Sequence, residues 1–288
     1  MKKLDVLALG TCNIDFLMKV ARFSSADDEV DIENLNISLG GSAANFAVKT
    51  SRLGLNTGIM ARIGEDHYGH YIRSQFKKEK INTEQLISID ERTGMAFISV
   101  DPRGERSIYT FMGANSKFKL EKQDIHLIKR SEILHITGMY TEVVEEASKH
   151  ANILSLNPGS LMSSYGMEKL ANILKNTEIL FLNKKEVTLL TGKNFEDGAK
   201  LLIDTGIPMV VVTMGRDGSK VYTQNEDFEY HSKDVNVLDT TGAGDSFAAG
   251  FINAFHKKKD IIECLKHGDE SAQKCITQIG SMESQQFL

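Results

Sequence analysis

A chain of 288 residues is long enough for one large α/β domain with an appendage, and equally for two domains. Its 41% hydrophobic and 25% charged residues are those of an ordinary globular protein, and a formal net charge of −5 offers no basic surface to nucleic acid, so a small or phosphorylated partner is expected. Three cysteines, Cys12, Cys264 and Cys275, are too few and too scattered for a disulfide framework or a tetrahedral zinc site, which points to a reducing, cytoplasmic location.

The opening MKKLDVLALGTCNID has two lysines before a run too short for a signal peptide. No apolar stretch reaches the roughly 18 residues of a membrane span, so no membrane partner is expected. The run Leu4–Leu9 reads instead as a first buried strand ending in a turn at Gly10. Segments of the same kind follow at 57–63, 133–136, 153–156, 179–182 and 209–213. Amphipathic stretches at 42–53, 68–79, 141–150, 167–176, 185–191 and 197–204 separate most of them. Alternating buried strands and helices predict an α/β fold with a mostly parallel sheet covered by helices on both faces.

Two regions break that rhythm. Residues 13–20 with 30–39, and 94–100 with 106–112, read as extended pairs without intervening helices, the second joined by the turn Asp101-Pro-Arg-Gly104. They predict a small antiparallel sheet standing off the main one, placed to act as a lid. No internal repeat or low-complexity linker divides the chain, so residues 1–288 are expected to form one domain carrying this lid.

Two glycine loops carry the chemical signal. In LGGSAANFAVKTSRLG (39–54), Gly40 and Gly41 allow backbone to approach a ligand, and Asn45 lies one turn into the helix, able to direct its amide back at it. The same residues also suit a helix start packed with small side chains. In VLDTTGAGDSFAAGF (237–251), Val235–Leu238 alternates as a strand, Thr240–Gly244 can turn its N–H groups into an anion nest, and Ser246–Phe255 continues as an apolar helix. No lysine follows the glycines, so this is not a Walker loop. Asp245 at the seam could cap the helix, or could deprotonate an alcohol that attacks a phosphoryl group.

Taken together, the Gly-Gly-plus-Asn helix start and DTTGAGDSFAAG resemble the two signatures of the ribokinase-like family, also called PfkB-type carbohydrate kinases. The resemblance runs through Asn157-Pro158, Asn183-Lys-Lys-Glu186 and Thr213-Met-Gly-Arg-Asp-Gly218, over about residues 3–284. It implies a three-layer α/β/α fold and transfer of the ATP γ-phosphoryl group to a hydroxyl. By that resemblance Asp245 is the base, and the N–H groups of Gly242, Ala243 and Gly244 stabilise charge on the moving group. Asn13, Asp15, Gly40, Gly41 and Asn45 would bind the acceptor. Asn183, Thr213, Gly215, Gly218 and Asp269 would face the nucleotide, and Glu186 would organise Mg2+ indirectly, through water. Arg216 could reach phosphate or face solvent. Many relatives bind K+ beside the anion nest; the matching positions are Asp239, Thr241, Cys275, Gln278, Gly280 and Ser284. Relatives often pair through the lid, which makes a homodimer possible here.

The acceptor stays open at this level. GGSAANFAVKTSRLG, LNPGS and FLNKKE resemble archaeal-type nucleoside kinases, whereas Ser42 stands where ribokinases often have lysine, and a glutamate near Met139–Tyr140 is absent. A primary hydroxyl of ribose or a ribonucleoside is the expected target, with Phe16, Phe97, Ile108 and Phe111 of the lid available to cover a base. Arg103 and Arg106 would suit a sugar acid or a sugar phosphate, as in ketodeoxygluconate kinases. A non-catalytic sugar or nucleotide sensor is the alternative of another class.

Overall fold

The computed structural model describes residues 3–277. In chain order, β1 (Leu4–Gly10) leads directly into β2 (Asn13–Val20) and β3 (Ile32–Gly40). Next come α1 (Ser42–Arg52), β4 (Thr57–Gly64), α2 (His67–Lys78) and β5 (Asn82–Ile89), then β6 (Gly94–Val100) and β7 (Arg106–Phe111). The chain continues as α3 (Lys122–Lys129), β8 (Ser131–Thr137), α4 (Thr141–Ser148), β9 (Ile153–Asn157), α5 (Gly159–Ser163) and α6 (Gly166–Leu174). It proceeds through β10 (Ile179–Asn183), α7 (Lys184–Thr191), α8 (Phe195–Asp204), β11 (Met209–Thr213), β12 (Ser219–Thr223) and β13 (Asp227–Tyr230). It closes with α9 (Ala243–His256) and α10 (Ile261–Ile276).

Nine strands form the main sheet in the order β13-β12-β11-β10-β9-β8-β1-β4-β5. The seven from β11 to β5 are parallel, and β12 and β13 add an antiparallel edge. Side chains alternate across β1: Val6 and Ala8 enter a core with α1, α2, α9 and α10, whereas Leu7 and Leu9 enter a second core with α3, α4 and α6 to α8. Both faces are thus apolar, which is why these strands read as continuous hydrophobic runs. All six apolar runs of the sequence become parallel strands of this sheet.

The four lid strands form a second sheet in the order β3-β2-β6-β7. The central pair, β2 with β6, is parallel, so the sheet is not purely antiparallel as expected. The cause is topological. β2 follows β1 and β6 follows β5, and those two strands run parallel in the main sheet, so both lid strands leave it in the same direction.

Residues 235–238 are a second correction, because they form no strand. The edge is already closed by β13, and this segment runs past the end of α10, where the N–H groups of Leu238 and Asp239 donate to the Ile276 carbonyl at 2.8 and 3.2 Å. The following helix also begins earlier than expected, at Ala243. Among the described residues, no helix is long and apolar enough to cross a membrane.

Candidate active site

The loop from Asp239 to Asp245 enters α9 through Gly242, whose left-handed backbone (φ 74°, ψ 8°) suits a residue without a side chain. Asp239 Oδ1 holds the turn by accepting from the Thr241 N–H at 2.8 Å and the Thr241 hydroxyl at 2.7 Å. The helix cap is Gly242, so Asp245 lies inside the first turn and does not occupy the capping position. Its carboxylate instead accepts from Asn45 Nδ2 at 3.0 Å, a bond between residues 200 positions apart that ties α1 to α9.

Two cavities flank this loop. The first, about 550 Å3, is lined by Asn13, Asp15, Gly41, Asn45, Thr241, Gly242 and Asp245. The second, about 760 Å3, is lined by Thr213, Gly215, Arg216, Gly218, Thr240, Ala243, Gly244 and Asp269. One turn of helix therefore presents Asp245 to the first space and the two residues before it to the second. The expected acceptor and nucleotide residues separate between the cavities in the same way. Gly40 lines neither, but a Cβ there would lie 2.0 Å from the Asp15 carboxyl carbon, so its bareness leaves room for that side chain. At Gly218 (φ 105°) a Cβ would meet the Tyr230 carbonyl at 2.0 Å, which explains glycine in the turn beside the second cavity.

The carboxylates in this neck are poorly solvated. Burial pushes Asp245 up to about 7; the Asn45 amide opposes the shift, and the charges of Asp15 and Glu186 add to it. Asp15 is also pushed up to about 7, by burial and then by the charge of Asp239. Two neighbouring acids both raised by burial mark this neck as the candidate for proton chemistry. Asp269 is raised as well, chiefly by burial; its carboxylate accepts from the Ser232 hydroxyl and from Gln273 Nε2.

Asn183 and Glu186 line neither cavity. They form a reciprocal capping box at the start of α7: Asn183 Oδ1 accepts from the Glu186 N–H at 2.9 Å, and Glu186 Oε2 from the Asn183 N–H at 3.0 Å. Ser160 donates to the other carboxylate oxygen at 3.2 Å. The Ala243 N–H also has a protein partner, the Thr240 carbonyl at 3.2 Å, so one of the three amides of the expected nest is engaged in a turn. Cys275 directs its thiol onto the Thr241 carbonyl at 3.3 Å, while Gln278, Gly280 and Ser284 lie outside the described residues.

Several site features are absent from any motif. Buried Asn115, just past β7, accepts from the Cys12 N–H at 3.1 Å and donates to Asn13 Oδ1 at 2.9 Å, fixing the Asn13 amide. Arg106 of the lid reaches Thr241 Oγ1 at 2.8 Å and stands 4.0 Å from Asp239, so the lid touches the loop between the cavities. Arg103 is committed to Asp101 and Glu105, at 3.0 Å each, in the lid turn. The aromatic wall expected from the lid is not there. Phe16, Phe97 and Phe111 lie on the lid face turned away from the cavity, Phe16 stacking on Phe97 with ring centres 5.0 Å apart, and Ile108 does not line the cavity either. The apolar lining comes instead from Met139, Tyr140, Leu161, Met162 and Tyr165, after β8 and β9.

A doubly covered, mostly parallel sheet, a strand-built lid and a buried acid beside two cavities match the build of an enzyme that brings two small molecules together. The chain belongs to the pfkB family of carbohydrate kinases, whose model matches residues 3–287. It is 31% identical over 271 residues to a nucleoside kinase of Methanocaldococcus jannaschii, covering 90% of this chain and 86% of that one. It is 30% identical over 293 residues to a ribokinase of Haemophilus influenzae, covering 96% and 93%. A ribokinase structure from Thermotoga maritima superposes with a TM-score of 0.89 at 27% identity, covering 98% and 96%. The protein is thus a kinase of the ribokinase-like fold, of the class that phosphorylates sugars and nucleosides.

Proposed function

We propose that this kinase transfers the ATP γ-phosphoryl group to the primary 5-hydroxyl of ribose or a ribonucleoside, with Asp245 as base. The observation that carries the reading is the partition at the start of α9, with the acid in one cavity and Ala243 and Gly244 in the other. The acceptor hydroxyl gives its proton to Asp245 as its oxygen bonds to the γ-phosphorus, and the bond to the bridging oxygen breaks to release ADP. The amides of Gly242 and Gly244, with the positive end of the α9 dipole, stabilise the charge on the moving group, and the Ala243 amide joins them on leaving the Thr240 carbonyl. Asn13, Asp15 and Asn45 hold the sugar hydroxyls, Asp15 accepting from two at once. Relatives named ribokinase and nucleoside kinase support this acceptor class.

A kinase of this family is expected to take its ATP with a divalent ion, magnesium, carried in on the nucleotide phosphates. Bound there, it would neutralise phosphate charge. Glu186, held by Asn183 and Ser160, would orient water around it. Asp239 and Thr241 offer oxygen donors of the kind a potassium ion takes, with the Cys275 thiol covering one of them. Activity at least severalfold higher in potassium than in sodium-only buffer is expected, and equal rates would remove the cation from the scheme.

Asp245→Asn keeps the shape of the neck and removes the base. Turnover should fall by about 10²–10⁴ with ATP affinity retained. An unimpaired variant would discard the mechanism. Tight ATP binding by the parent protein without turnover of any sugar or nucleoside would make it a sensor.

A further inference from the structure

The acceptor cavity has two unlike walls. One is polar, carrying Asn13, Asp15, Asn45 and Asp245. The other comes from the segments following β8 and β9, strands that pair with one another in the sheet, and it is apolar. Tyr140, Leu161 and Tyr165 are 40%, 73% and 40% exposed there, over the buried Met139 and Met162. Single exposed apolar side chains need no explanation, but three converging on one ligand cavity do. A free pentose is polar on every side and offers this wall nothing to bury.

Resting on the kinase reading, we infer that this wall is a subsite for the base of a ribonucleoside, so the acceptor is a nucleoside and not free ribose. With the 5-hydroxyl at Asp245, a base on the opposite side of the sugar ring requires a flat apolar surface, and the two tyrosine rings supply stacking platforms. Polar groups stand at the rim to read the base edge. Lys169 is held over the Tyr165 ring, 4.3 Å from its centre, as a donor, and Thr141 with Glu142 completes the lining. The cavity, about 550 Å3, falls within the range of about 300–1,000 Å3 usual for small-molecule sites. Besides the polar Asn13 and Asp15 of β2, the lid side contributes Ala96, Thr110 and Met112 to this space and no aromatic ring, so no other aromatic surface competes for the base.

The test compares ribose, adenosine, guanosine, cytidine and uridine as acceptors for the full chain with ATP, alongside calorimetric binding of the same compounds. At least one ribonucleoside should show a KM about tenfold or more below that of ribose. Leu161→Ser and Tyr165→Ala should raise that nucleoside's KM about tenfold more than they raise the KM for ribose. Leu161 is mostly exposed, so its replacement does not threaten folding. Equal kcat/KM for ribose and all nucleosides, or equal KM shifts for both in the two variants, would overturn the subsite and leave the kinase reading intact. Nucleosides that bind on this wall and are never phosphorylated would keep the subsite and overturn the kinase reading.

Discussion

At Asp245 burial and hydrogen bonding pull in opposite directions. Burial holds the acid up to about 7, while the Asn45 amide at 3.0 Å favours the charged form. A base must be ionised to take a proton, so kcat/KM should be flat above about pH 7 and fall as pH drops below it. Asp15 is raised to about 7 too and accepts best as a carboxylate, so the acidic limb should steepen toward two protons. Asn45→Ala removes the opposing bond and should move that limb to higher pH; a pH–rate profile unchanged by the substitution would show that the amide does not tune the base. The local sequence pattern left Asp245 between cap and base, and only the family resemblance pointed to the base. A cap needs only local backbone, but the partner that Asp245 has is Asn45, 200 positions away, which a local pattern does not carry. Asn115 was invisible for the same reason, since its partners Cys12 and Asn13 lie more than 100 positions upstream.

Among the elements, the lid strand β7 touches the loop between the two cavities. Arg106 begins that strand and donates to Thr241 in the loop that separates the cavities. Its side chain is one-third exposed, so the contact is worth about 0.5–1 kcal/mol, and Arg106→Ala should raise the acceptor KM by about two- to fivefold. Steady-state kinetics that show no change in KM would mean that the lid closes without this contact. The elements readable in advance were those with continuous apolar runs, because parallel strands buried on both faces leave no ambiguity of period. The edge strand β5, NTEQLISI, mixes polar and apolar residues, and α10 carries charges along much of its length, so neither announced itself. Val235–Leu238 erred in the other direction. Its alternation suits a strand, but the sheet edge it would join is already occupied by β13.

For the molecule as a whole, the outer face of the lid is the unfinished surface. Leu35, Phe97, Tyr109 and Phe111 are all exposed on it, and the strand register places them on the same side. A second copy of the chain is the expected cover, since a small sheet with an apolar face and free edges favours self-pairing. Sedimentation should show a dimer that Tyr109→Glu shifts toward monomer; a monomer at all concentrations would mean that the patch stays bare. The layered architecture and the lid were legible from alternation of period and from the glycine loops. The composition of the acceptor wall was not, because Met139, Tyr140, Leu161 and Tyr165 come from two connections whose meeting depends on strand order.

That division of walls has a consequence for how the chain can change. The residues around the phosphoryl path belong to the segments near 213–218 and 239–245, with Asp269, whereas the apolar acceptor wall is carried by residues 139–165. On the proposed reading, the apolar part of acceptor selection and the phosphoryl transfer are carried by separate stretches of sequence. Mutation in the loops after β8 and β9 can retune the choice of acceptor while the transfer apparatus drifts independently, which makes those two loops the place to graft a new preference.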